Sequence, residues 1–572
     1  MALSLTAILI LAKILWLLGR HVPLSFWLPA ALLWQDVVVG LLFALLVRRA
    51  GWRPYVWLTY AALVVWIALN IPIARTLSSP LTVPMLRATG GPLADSIALY
   101  VTPVNVAMIL LVVVTGAILP RLAVSNRATM TVAAAMIAIA LPGPFVAARV
   151  DAAGTDRNAL TSLILTAMPR MAASPVRTGG DWRTSPFGAV RGDDLGWLAR
   201  SAAGRNVVMV FLESTGASYL RSYGAPDDPM PTVTALANEG VLFERAYAAY
   251  PESIKGLFGV MCSRHPGLDV SVEVHARAPC TPLPRVLADA GYQTALFHSG
   301  RFAYLGMQAI VSTQGWGTLE DAGAIGGQVE SSFGVDEPST VARALSWIDA
   351  RDRARPFFLA YMPIAGHHPY EAPTRGPFSG EGEVSAYKNA LRYADTSVAT
   401  LLAGLKSRGL DRQTMLVIFG DHGEAFGQHE GNFGHTFFTF EENVHVPLLI
   451  SIPGVTAHAV RDRQMASVVD IAPTILALTG TATPGNYEGA SLLTGDNRLA
   501  FFYTDYALAW AGLRDGCWKY LLEIEAKRSR LFNLCEDAAE SRDLAAAHPD
   551  RIDAYRQRTV AWIASTRQKY VE

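Results

Sequence analysis

The hydrophobic positions divide this chain into an apolar N-terminal part and a longer part in which apolar and polar residues alternate. Within the first 150 residues, apolar runs approach the ~20 residues that a helix needs to cross a bilayer. We predict five membrane spans, at about Leu3–Leu18, Ser25–Val47, Tyr55–Ile73, Ala98–Leu119 and Ala128–Val150. Lys13 and Asp36 interrupt the first two spans, and such charges face other helices or reach toward an interface.

Basic residues in the short loops predict the orientation of these spans. The loops on one side carry five of them, which are Arg48, Arg49, Arg53, Arg121 and Arg127. The loops on the other side carry three, which are Arg20, Arg75 and Arg87. The positive-inside rule puts the richer side in the cytoplasm. We therefore expect a multi-pass protein of a bacterial-type cytoplasmic (inner) membrane, with everything after the fifth span on the extracytoplasmic side. A cleaved signal peptide is the alternative for the first span, disfavoured because further spans follow.

From Asn206 onward, short continuous apolar runs alternate with segments of helical periodicity. These runs cover residues 206–214, 293–300, 356–366, 414–423 and 446–452. Such runs are typical of strands buried on both faces, and their alternation with helices predicts an α/β sheet with right-handed crossovers. We expect a transmembrane helical domain at 1–150, an interfacial helix and linker at 151–204, and an extracytoplasmic α/β domain at 205–572. A C-terminal subregion of that domain would cover about 500–572.

Charge and cysteine content narrow the class of protein. The 48 basic and 48 acidic residues cancel, so the net charge does not favour a nucleic-acid partner. The four cysteines all follow the predicted spans and form two pairs of equal spacing, Cys262/Cys280 and Cys517/Cys535. An oxidising compartment would let each pair close a small loop, whereas a reducing compartment would leave four thiols.

Polar residues directly after the apolar runs are the first candidates for a functional site, because ligands of α/β sheets bind beyond the carboxyl ends of the strands. They are Glu213, His298, His367, His368, Asp421 and His422. Glu213, Asp421 and His422 offer two carboxylates and an imidazole. This donor set suits zinc or manganese better than calcium. A Gly-Asp-His-Gly segment is also a common kind of turn, so this pattern alone leaves a structural role open.

Ser253, in the stretch YPESIKGLF, has two interpretations. It precedes a run of helical periodicity, where a serine side chain can cap the first turn. The same backbone N–H groups would hold an anion beside the hydroxyl, as a nucleophile requires. An oxygen from Ser253 would complete four-coordination of a metal at the two carboxylates and the imidazole, and the metal would lower the pKa of the hydroxyl.

An ordered set of motifs resembles the sulfatase family within the alkaline phosphatase superfamily over about residues 206–480. The motifs include VVMVFLES, YPESIKGLF, GYQTALFHSGR, HHPYEAP, FGDHGEAFGQHEG, ENVHVPLLI and VVDIAPTILALTG. WKYLLEI and RLFNLCEDAAESRDLA resemble the C-terminal part of sulfatases. With five spans in front, the arrangement also resembles lipoteichoic acid synthases and lipid A phosphoethanolamine transferases. The implied fold is a helical transmembrane bundle followed by an alkaline-phosphatase-like α/β sandwich domain.

The resemblance implies roles for residues at the matching positions. Glu213 matches the first metal ligand, and Asp421 and His422 match the paired ligands. Ser253 falls where these enzymes place the nucleophile, which is Thr in the transferases and formylglycine in true sulfatases. The implied cofactor is one divalent metal ion, zinc or manganese, with magnesium as the remaining option. For Asp470 in VVDIAPT we expect helix capping.

Histidines around this set are expected to bind substrate or move a proton. His298 and His367 match substrate-binding histidines, and His368 lies beside the second of them. His435 resembles the catalytic histidine that follows the Asp-His pair. His429 is the alternative, as a substrate-binding residue, because this spacing is not fixed in the family.

Departures from the family pattern favour phosphoryl chemistry. A formylglycine site needs Pro or Ala two residues after the nucleophile and Arg four residues after it, where this chain has Lys255 and Leu257. Ser253 is therefore expected to work as a plain hydroxyl, with Lys255 as a possible catalytic partner for phosphate. Glu213 is followed by Ser214 instead of a second acid, which separates the chain from calcium-dependent sulfatases.

The expected function is transfer of a phospho-substituent from a membrane phospholipid head group to a glycan or lipid acceptor through a covalent serine intermediate. The first alternative is hydrolysis of a sulfuric or phosphoric ester, with water as the acceptor. The second is a non-catalytic membrane protein that retains the fold.

Overall fold

Helices build the N-terminal region in the computed structural model of this chain. The structure describes residues 1–572 except 21–24, 52, 89–99, 123–125, 151, 153, 169–180, 189–191, 332, 374–375, 457, 497, 508 and 572. The helices of this region are Ala2–Leu17, Leu28–Ala50, Pro54–Leu77, Val83–Ala88, Pro103–Ile118, Asn126–Ala140, Gly143–Ala147 and Ala159–Ala167. Each of the five predicted spans therefore contains a helix.

Three of these helical segments are long and apolar enough to cross a membrane: Leu28–Ala50, Pro54–Leu77 and Pro103–Arg121. The helices in the first and fifth predicted spans, Ala2–Leu17 and Asn126–Ala140, have 16 and 15 residues. The second of these ends before the sequence Leu-Pro-Gly-Pro, since proline lacks the N–H that a continuing helix needs. The described residues thus give three candidate spans where the sequence pattern predicts five.

The two charges in the first two predicted spans face the interior of the bundle. Lys13 Nζ lies 3.3 Å from Asp36 Oδ2, and both side chains are buried. The Lys13 ammonium also donates to the carbonyl oxygens of Thr155 (2.8 Å) and Arg157 (2.5 Å). Pairing of this kind is how charges are accommodated among apolar helices.

A large mixed sheet forms the core of the region after residue 205. In chain order the strands are β1 (Asn206–Leu212), β2 (Val241–Tyr247), β3 (Gln293–His298), β4 (Thr318–Glu320), β5 (Val329–Ser331), β6 (Gly334–Val335), β7 (Phe357–Met362), β8 (Thr414–Gly420), β9 (Ala425–Phe426), β10 (Phe433–Gly434), β11 (His445–Val446), β12 (Leu448–Ser451), β13 (Val460–Ser467), β14 (Ala500–Thr504), β15 (Trp510–Asp515), β16 (Trp518–Glu523) and β17 (Arg528–Asn533). The main sheet has the order β11-β2-β12-β8-β1-β7-β3-β4, and β13 also pairs with β2.

The five apolar runs of the sequence become β1, β3, β7, β8 and β12. The first four are parallel neighbours, so their carboxyl ends share one edge of the sheet. The fifth differs from the crossover prediction, because β12 pairs antiparallel with β8. The chain between β8 and β12 forms the two short strands β9 and β10, the short helix Glu441–Val444 and β11, and it contains no long helix that could form a parallel crossover.

Helices cover the main sheet on both faces. Those of this region are Pro231–Ala237, Ser253–Cys262, Val272–Arg277, Leu283–Asp289, Met307–Val311, Ala322–Ile325, Glu337–Ala350, Glu383–Ser407, Glu441–Val444, Ile471–Thr479 and Pro549–Val571. Side chains of β1 alternate between two apolar clusters: Val207 and Phe211 join one, and Val208 and Leu212 join the other. A strand that is buried on both faces has this pattern, so the continuous apolar run is explained.

A four-stranded antiparallel sheet, β14–β17, and the helix Pro549–Val571 complete the C-terminal part. Their shared core contains Phe501 stacked on Trp562, with ring centroids 5.0 Å apart. Both cysteine pairs, Cys262–Cys280 and Cys517–Cys535, are disulfide bonds. Of the two states that the sequence leaves open, the structure has the one typical of an oxidising compartment.

Candidate active site

Two acidic residues meet at the carboxyl edge of the main sheet. Glu213 directly follows β1 and Asp421 directly follows β8, and these strands are parallel neighbours. Ser214 takes a left-handed backbone conformation (φ 52°) and donates its N–H to Asp421 Oδ1 at 3.0 Å. His422 Nε2 lies 3.5 Å from Glu213 Oε1 and 3.6 Å from Asp421 Oδ2. The sheet thus brings the three expected metal ligands together.

The electrostatics of these three residues fit a divalent cation. Burial raises the pKa of Glu213 well above its usual range, and the charge of Asp421 raises it further. Asp421 Oδ2 is buried and accepts no hydrogen bond from the described part of the chain. The N–H at His422 Nδ1 donates to the Gly423 carbonyl at 3.0 Å, which leaves Nε2 as a lone-pair donor. Two carboxylates so close and so buried repel each other unless a cation lies between them.

Ser253 reaches this cluster from the start of a helix. It is the first residue of the helix Ser253–Cys262, and the N-cap is Glu252, whose carboxylate accepts from the N–H groups of Ile254 and Lys255. The interpretation of Ser253 as the cap is therefore wrong, because its neighbour takes that position. The Ser253 hydroxyl instead donates to Glu213 Oε2 at 2.9 Å and lies 3.3 Å from His422 Nε2.

His435 lies beside the metal ligands, and Glu424 holds it there. The imidazole ring of His435 stacks on that of His422 with centroids 4.0 Å apart. Its Nδ1 contacts Glu424 Oε2 at 2.7 Å, and Tyr370 donates its hydroxyl to Glu424 Oε1 at 2.7 Å. Burial favours the neutral imidazole, but Glu424 outweighs it and raises the pKa of His435 to about 9. The sequence analysis misses Glu424, although its place two residues after His422, beyond a strand end, is the available signal.

The three other histidines of the strand ends form a rim around this centre. His298 ends β3, and its Nδ1 lies 3.0 Å from the carbonyl oxygen of Met362. The His367 ring lies 6.3 Å from that of His435. The His368 ring stacks at 6.4 Å on Tyr100, which precedes the helix Pro103–Ile118 of the membrane region.

Lys255 is held by an acidic side chain from the C-terminal part. Its ammonium donates to Asp505 Oδ1 at 2.9 Å and lies 4.4 Å from the centroid of the Tyr250 ring. Asp505 also accepts the Tyr250 hydroxyl at 2.7 Å. The ammonium of Lys255 therefore anchors the helix of Ser253 to the segment that follows β14.

His429 and Asp470 lie elsewhere. His429 contacts Glu442 at 2.7 Å and stacks on Phe440 with ring centroids 3.7 Å apart, in a separate group of charges. Of the two histidines considered after the Asp-His pair, His435 and not His429 adjoins the metal ligands. Asp470 accepts the N–H of Ser467 at 2.9 Å in a capping box, so the expected capping role is confirmed.

Comparison with known proteins identifies this domain. Residues 205–481 match the sulfatase family, and residues 427–544 match the C-terminal region of N-sulphoglucosamine sulphohydrolase. A lipoteichoic acid synthase-like protein of Bacillus subtilis is 25% identical over 320 residues, which are 52% of this chain and 51% of that protein. Human N-acetylgalactosamine-6-sulfatase is 25% identical over 348 residues, 50% of this chain and 65% of that protein. The chain thus spans about half to two thirds of the length of these relatives.

Solved structures show the same fold at low sequence identity. The lipoteichoic acid synthase LtaP of Listeria monocytogenes has a TM-score of 0.55 at 17% identity, covering 66% of this chain and 94% of that one. An alkaline phosphatase superfamily protein of Vibrio parahaemolyticus has a TM-score of 0.54 at 19% identity, covering 65% and 90%. The fold is thus alkaline-phosphatase-like. More specifically, residues 205–481 form a sulfatase-family domain, and the N-terminal apolar helices are consistent with membrane anchoring. The match to a family of enzymes disfavours the alternative of a non-catalytic protein.

Proposed function

We propose that this enzyme is a membrane-anchored, metal-dependent phosphotransferase. It takes a phospho-substituent from a phospholipid head group and passes it to a glycan or lipid acceptor on the extracytoplasmic side. The observation that carries this proposal is the position of the His435 loop against the ends of the membrane helices. A site in that position is within reach of a lipid head group.

Three contacts define this junction. Ser78, directly after the helix Pro54–Leu77, donates its hydroxyl to the carbonyl of Gly431, four residues before His435. Thr82 donates its hydroxyl to the carbonyl of Tyr506 at 3.0 Å. The side chain of Met85 joins an apolar cluster of the catalytic region, together with Phe437 and Phe438. Polar head groups lie at the level where membrane helices end, so these contacts favour a lipid donor over a freely diffusing one.

The metal ligands and Ser253 would act together. Glu213, Asp421, His422 and the Ser253 oxygen would hold one divalent cation, zinc, manganese or magnesium. When bound, this ion supplies Lewis-acid polarisation and lowers the pKa of the serine hydroxyl. Glu213 accepts the Ser253 hydroxyl hydrogen bond and thereby orients the oxygen for attack. In this arrangement the nucleophile is the unmodified hydroxyl of Ser253.

The reaction would proceed in two displacements. Ser253 Oγ would react as the alkoxide, its hydroxyl proton having been lost before attack. It forms a bond to phosphorus while the bond from phosphorus to the diacylglycerol oxygen breaks, protonated His435 gives its proton to that oxygen, and Ser253 leaves as the same alkoxide in the second displacement. An acceptor hydroxyl then attacks the same phosphorus, returns a proton to His435 and releases Ser253. Such double displacement gives ping-pong kinetics. Electrostatic stabilisation of the transferring group accounts for most of the expected acceleration.

The test is mass spectrometry of the Ser253 peptide after incubation with vesicles that contain head-group-labelled phospholipid. We expect a phospho-substituted serine, which is lost in Ser253→Ala and kept in Ser312→Ala, a matched change at an exposed serine. An aldehyde at position 253 would instead indicate sulfatase chemistry. Label transfer by Ser253→Ala at the wild-type rate would overturn the nucleophile role.

Hydrolysis of a sulfate or phosphate ester is the second candidate. It is favoured by the match of residues 427–544 to the C-terminal region of N-sulphoglucosamine sulphohydrolase. Product analysis in ¹⁸O-labelled water separates the two candidates. A hydrolase incorporates the label into released phosphate or sulfate at all acceptor concentrations, whereas a transferase gives labelled product only when no acceptor is supplied.

A further inference from the structure

Glu337 is a buried carboxylate that joins two loops of the candidate site. It is the first residue of the helix Glu337–Ala350, and its side chain has no solvent exposure. Its Oε1 accepts hydrogen bonds from the Ser299 hydroxyl at 2.9 Å and from the N–H groups of Ile364 and Ala365 at 2.8 and 3.1 Å. Its Oε2 accepts from the Tyr361 hydroxyl at 2.5 Å. One carboxylate thus accepts hydrogen bonds from four donors.

The donors belong to the two segments that carry the rim histidines. Ser299 directly follows His298 at the end of β3. Ile364 and Ala365 lie in the loop after β7, three and two residues before His367. A displacement of the carboxylate would therefore release both histidine loops at once.

The loop after β7 also lies against the backbone of a metal ligand. A Cβ at Gly366 would come within 2.0 Å of the Glu213 carbonyl oxygen, so only glycine fits at this close approach. The segment before Glu337 contacts these loops as well: Phe333 packs on the His367 ring at 4.3 Å, and the N–H of Val335 donates to the Ser299 carbonyl at 2.9 Å. The segment that leads into Glu337 therefore wraps around the loops that Glu337 binds.

Burial of a carboxylate at this place has a cost in free energy. In the described part of the chain, no Lys or Arg side chain forms an ion pair with Glu337, and burial raises its pKa to about 7. A buried acid without a cation costs free energy that an apolar side chain of similar size would not. What the carboxylate adds is an acceptor for the buried Ala365 N–H and for the Ile364 N–H, which also donates to the Ser299 hydroxyl at 2.9 Å.

We propose that Glu337 is a positioning residue, which sets the loops of His298 and His367 at the distance needed to bind the oxygens of the substrate ester. This inference rests on the proposed function only in assuming that an ester binds at the metal cluster. It holds for a phosphate ester and for a sulfate ester alike.

The experiment compares Glu337→Gln, Glu337→Ala and Asp395→Ala in the full chain. Asp395 is the matched control: it is buried and accepts two backbone N–H bonds, from Thr232 and Val233, but these lie at the start of the helix Pro231–Ala237 and carry no site residue. Three quantities are measured: amide hydrogen exchange of peptides that cover residues 360–368, metal content, and kcat and KM for bis(p-nitrophenyl) phosphate and p-nitrophenyl sulfate.

For Glu337→Ala we expect faster exchange at residues 364 and 365, unchanged metal content and a KM raised on the order of 10-fold with a smaller change in kcat. Glu337→Gln keeps an oxygen for the N–H groups, and the Tyr361 hydroxyl can rotate to face the new amide, so its KM is expected within about threefold of wild type. Asp395→Ala is expected to unfold at a lower temperature with its KM unchanged.

The proposal would be overturned if amide exchange at residues 364 and 365 were as slow in Glu337→Ala as in the wild type. An equal rise of KM in Asp395→Ala would also overturn it. Failure of wild type to turn over either ester would count against the proposed function, while the exchange comparison would still decide the role of Glu337.

Discussion

Three groups of histidine and acidic side chains have metal-like spacing in the described part of the chain, and two of them, which share no residue, have opposite electrostatics. The metal cluster consists of Glu213, Asp421 and His422, and the ion-pair cluster consists of His429, Glu442 and Glu540. In each group the potential ligand atoms lie within 4.8 Å of one another. Distance alone therefore does not separate a candidate catalytic centre from a structural one.

The two clusters differ in whether basic side chains of the protein neutralise their carboxylates. In the ion-pair cluster, the fully buried Lys519 lies 2.9 Å from Glu540 Oε1 and 3.0 Å from Glu441 Oε1, and His429 pairs with Glu442 at 2.7 Å. In the described part of the chain, neither carboxylate of the metal cluster pairs with Lys or Arg. The negative charge left uncompensated there is what an external cation would neutralise. In the ion-pair cluster, Arg514 also lies 4.0 Å from Glu441 Oε1, so three basic side chains balance the three glutamates.

The largest effect is expected from Asp421→Asn. Loss of one carboxylate from the metal cluster should abolish stoichiometric metal binding and lower kcat/KM by on the order of 10³-fold or more. Because the change also removes charge repulsion, the metal-free variant should unfold at or above the temperature of the metal-free wild type. Metal analysis and thermal unfolding in EDTA check both points. Glu442→Gln, in the ion-pair cluster, should keep the metal. Loss of metal in that variant would contradict the assignment of the metal to the metal cluster alone.

Lys519→Met should destabilise the protein by about 3–5 kcal/mol, because it leaves Glu441 and Glu540 buried without their cation. Metal content should not change. Denaturant unfolding of the EDTA-treated protein measures the effect, and the double variant Lys519→Met/Glu540→Gln should recover part of the loss. An unchanged free energy of unfolding would mean that the cluster is not the structural element described above.

Addition of metal should stabilise through one cluster only. A divalent cation at 100 times its Kd should stabilise the folded state by ~2.7 kcal/mol. The gain should vanish in Glu213→Gln and persist in His429→Gln. Titration of zinc, manganese and magnesium with thermal unfolding would rank the three ions. Persistence of the full gain in Glu213→Gln would place the ion elsewhere.

Much of the sheet and of the metal cluster follows from the sequence, because both depend on local signals. Continuous apolar runs predict the parallel strands β1, β3, β7 and β8, and parallel strands bring their carboxyl ends to one edge. That rule alone places Glu213 near Asp421 and His422. The shortness of the fifth apolar helix does not follow from composition, since apolar residues such as Leu141 continue past the point where proline ends this helix.

The partners of the site residues depend on contacts between distant segments, and the sequence does not predict them. Asp505, which binds Lys255, is 250 residues away from it. His429 and His435 both follow the Asp-His pair in one loop, and only the tertiary contacts of Glu424 and Glu442 separate their environments. Glu337 carries no motif at all, because its four donors come together only when β3 and β7 are adjacent.

The smallest effect is a pH dependence of the ion-pair cluster. Burial favours neutral His429, but Glu442 outweighs it and raises the pKa of His429, while His429 lowers the pKa of Glu442 against its burial. The raised pKa of His429 contributes stability below the unfolded value of about 6.5, and this is lost as pH rises through the folded pKa. The lowered pKa of Glu442 contributes stability above the unfolded value of about 4.3, and this is lost as pH falls through the folded pKa. The difference in stability between wild type and His429→Gln should therefore be largest near pH 5–6 and shrink as pH rises through the folded pKa of His429. Thermal unfolding of both proteins in EDTA across this range measures it, and a difference that grows toward pH 9 would show that His429 is not charged in the folded protein.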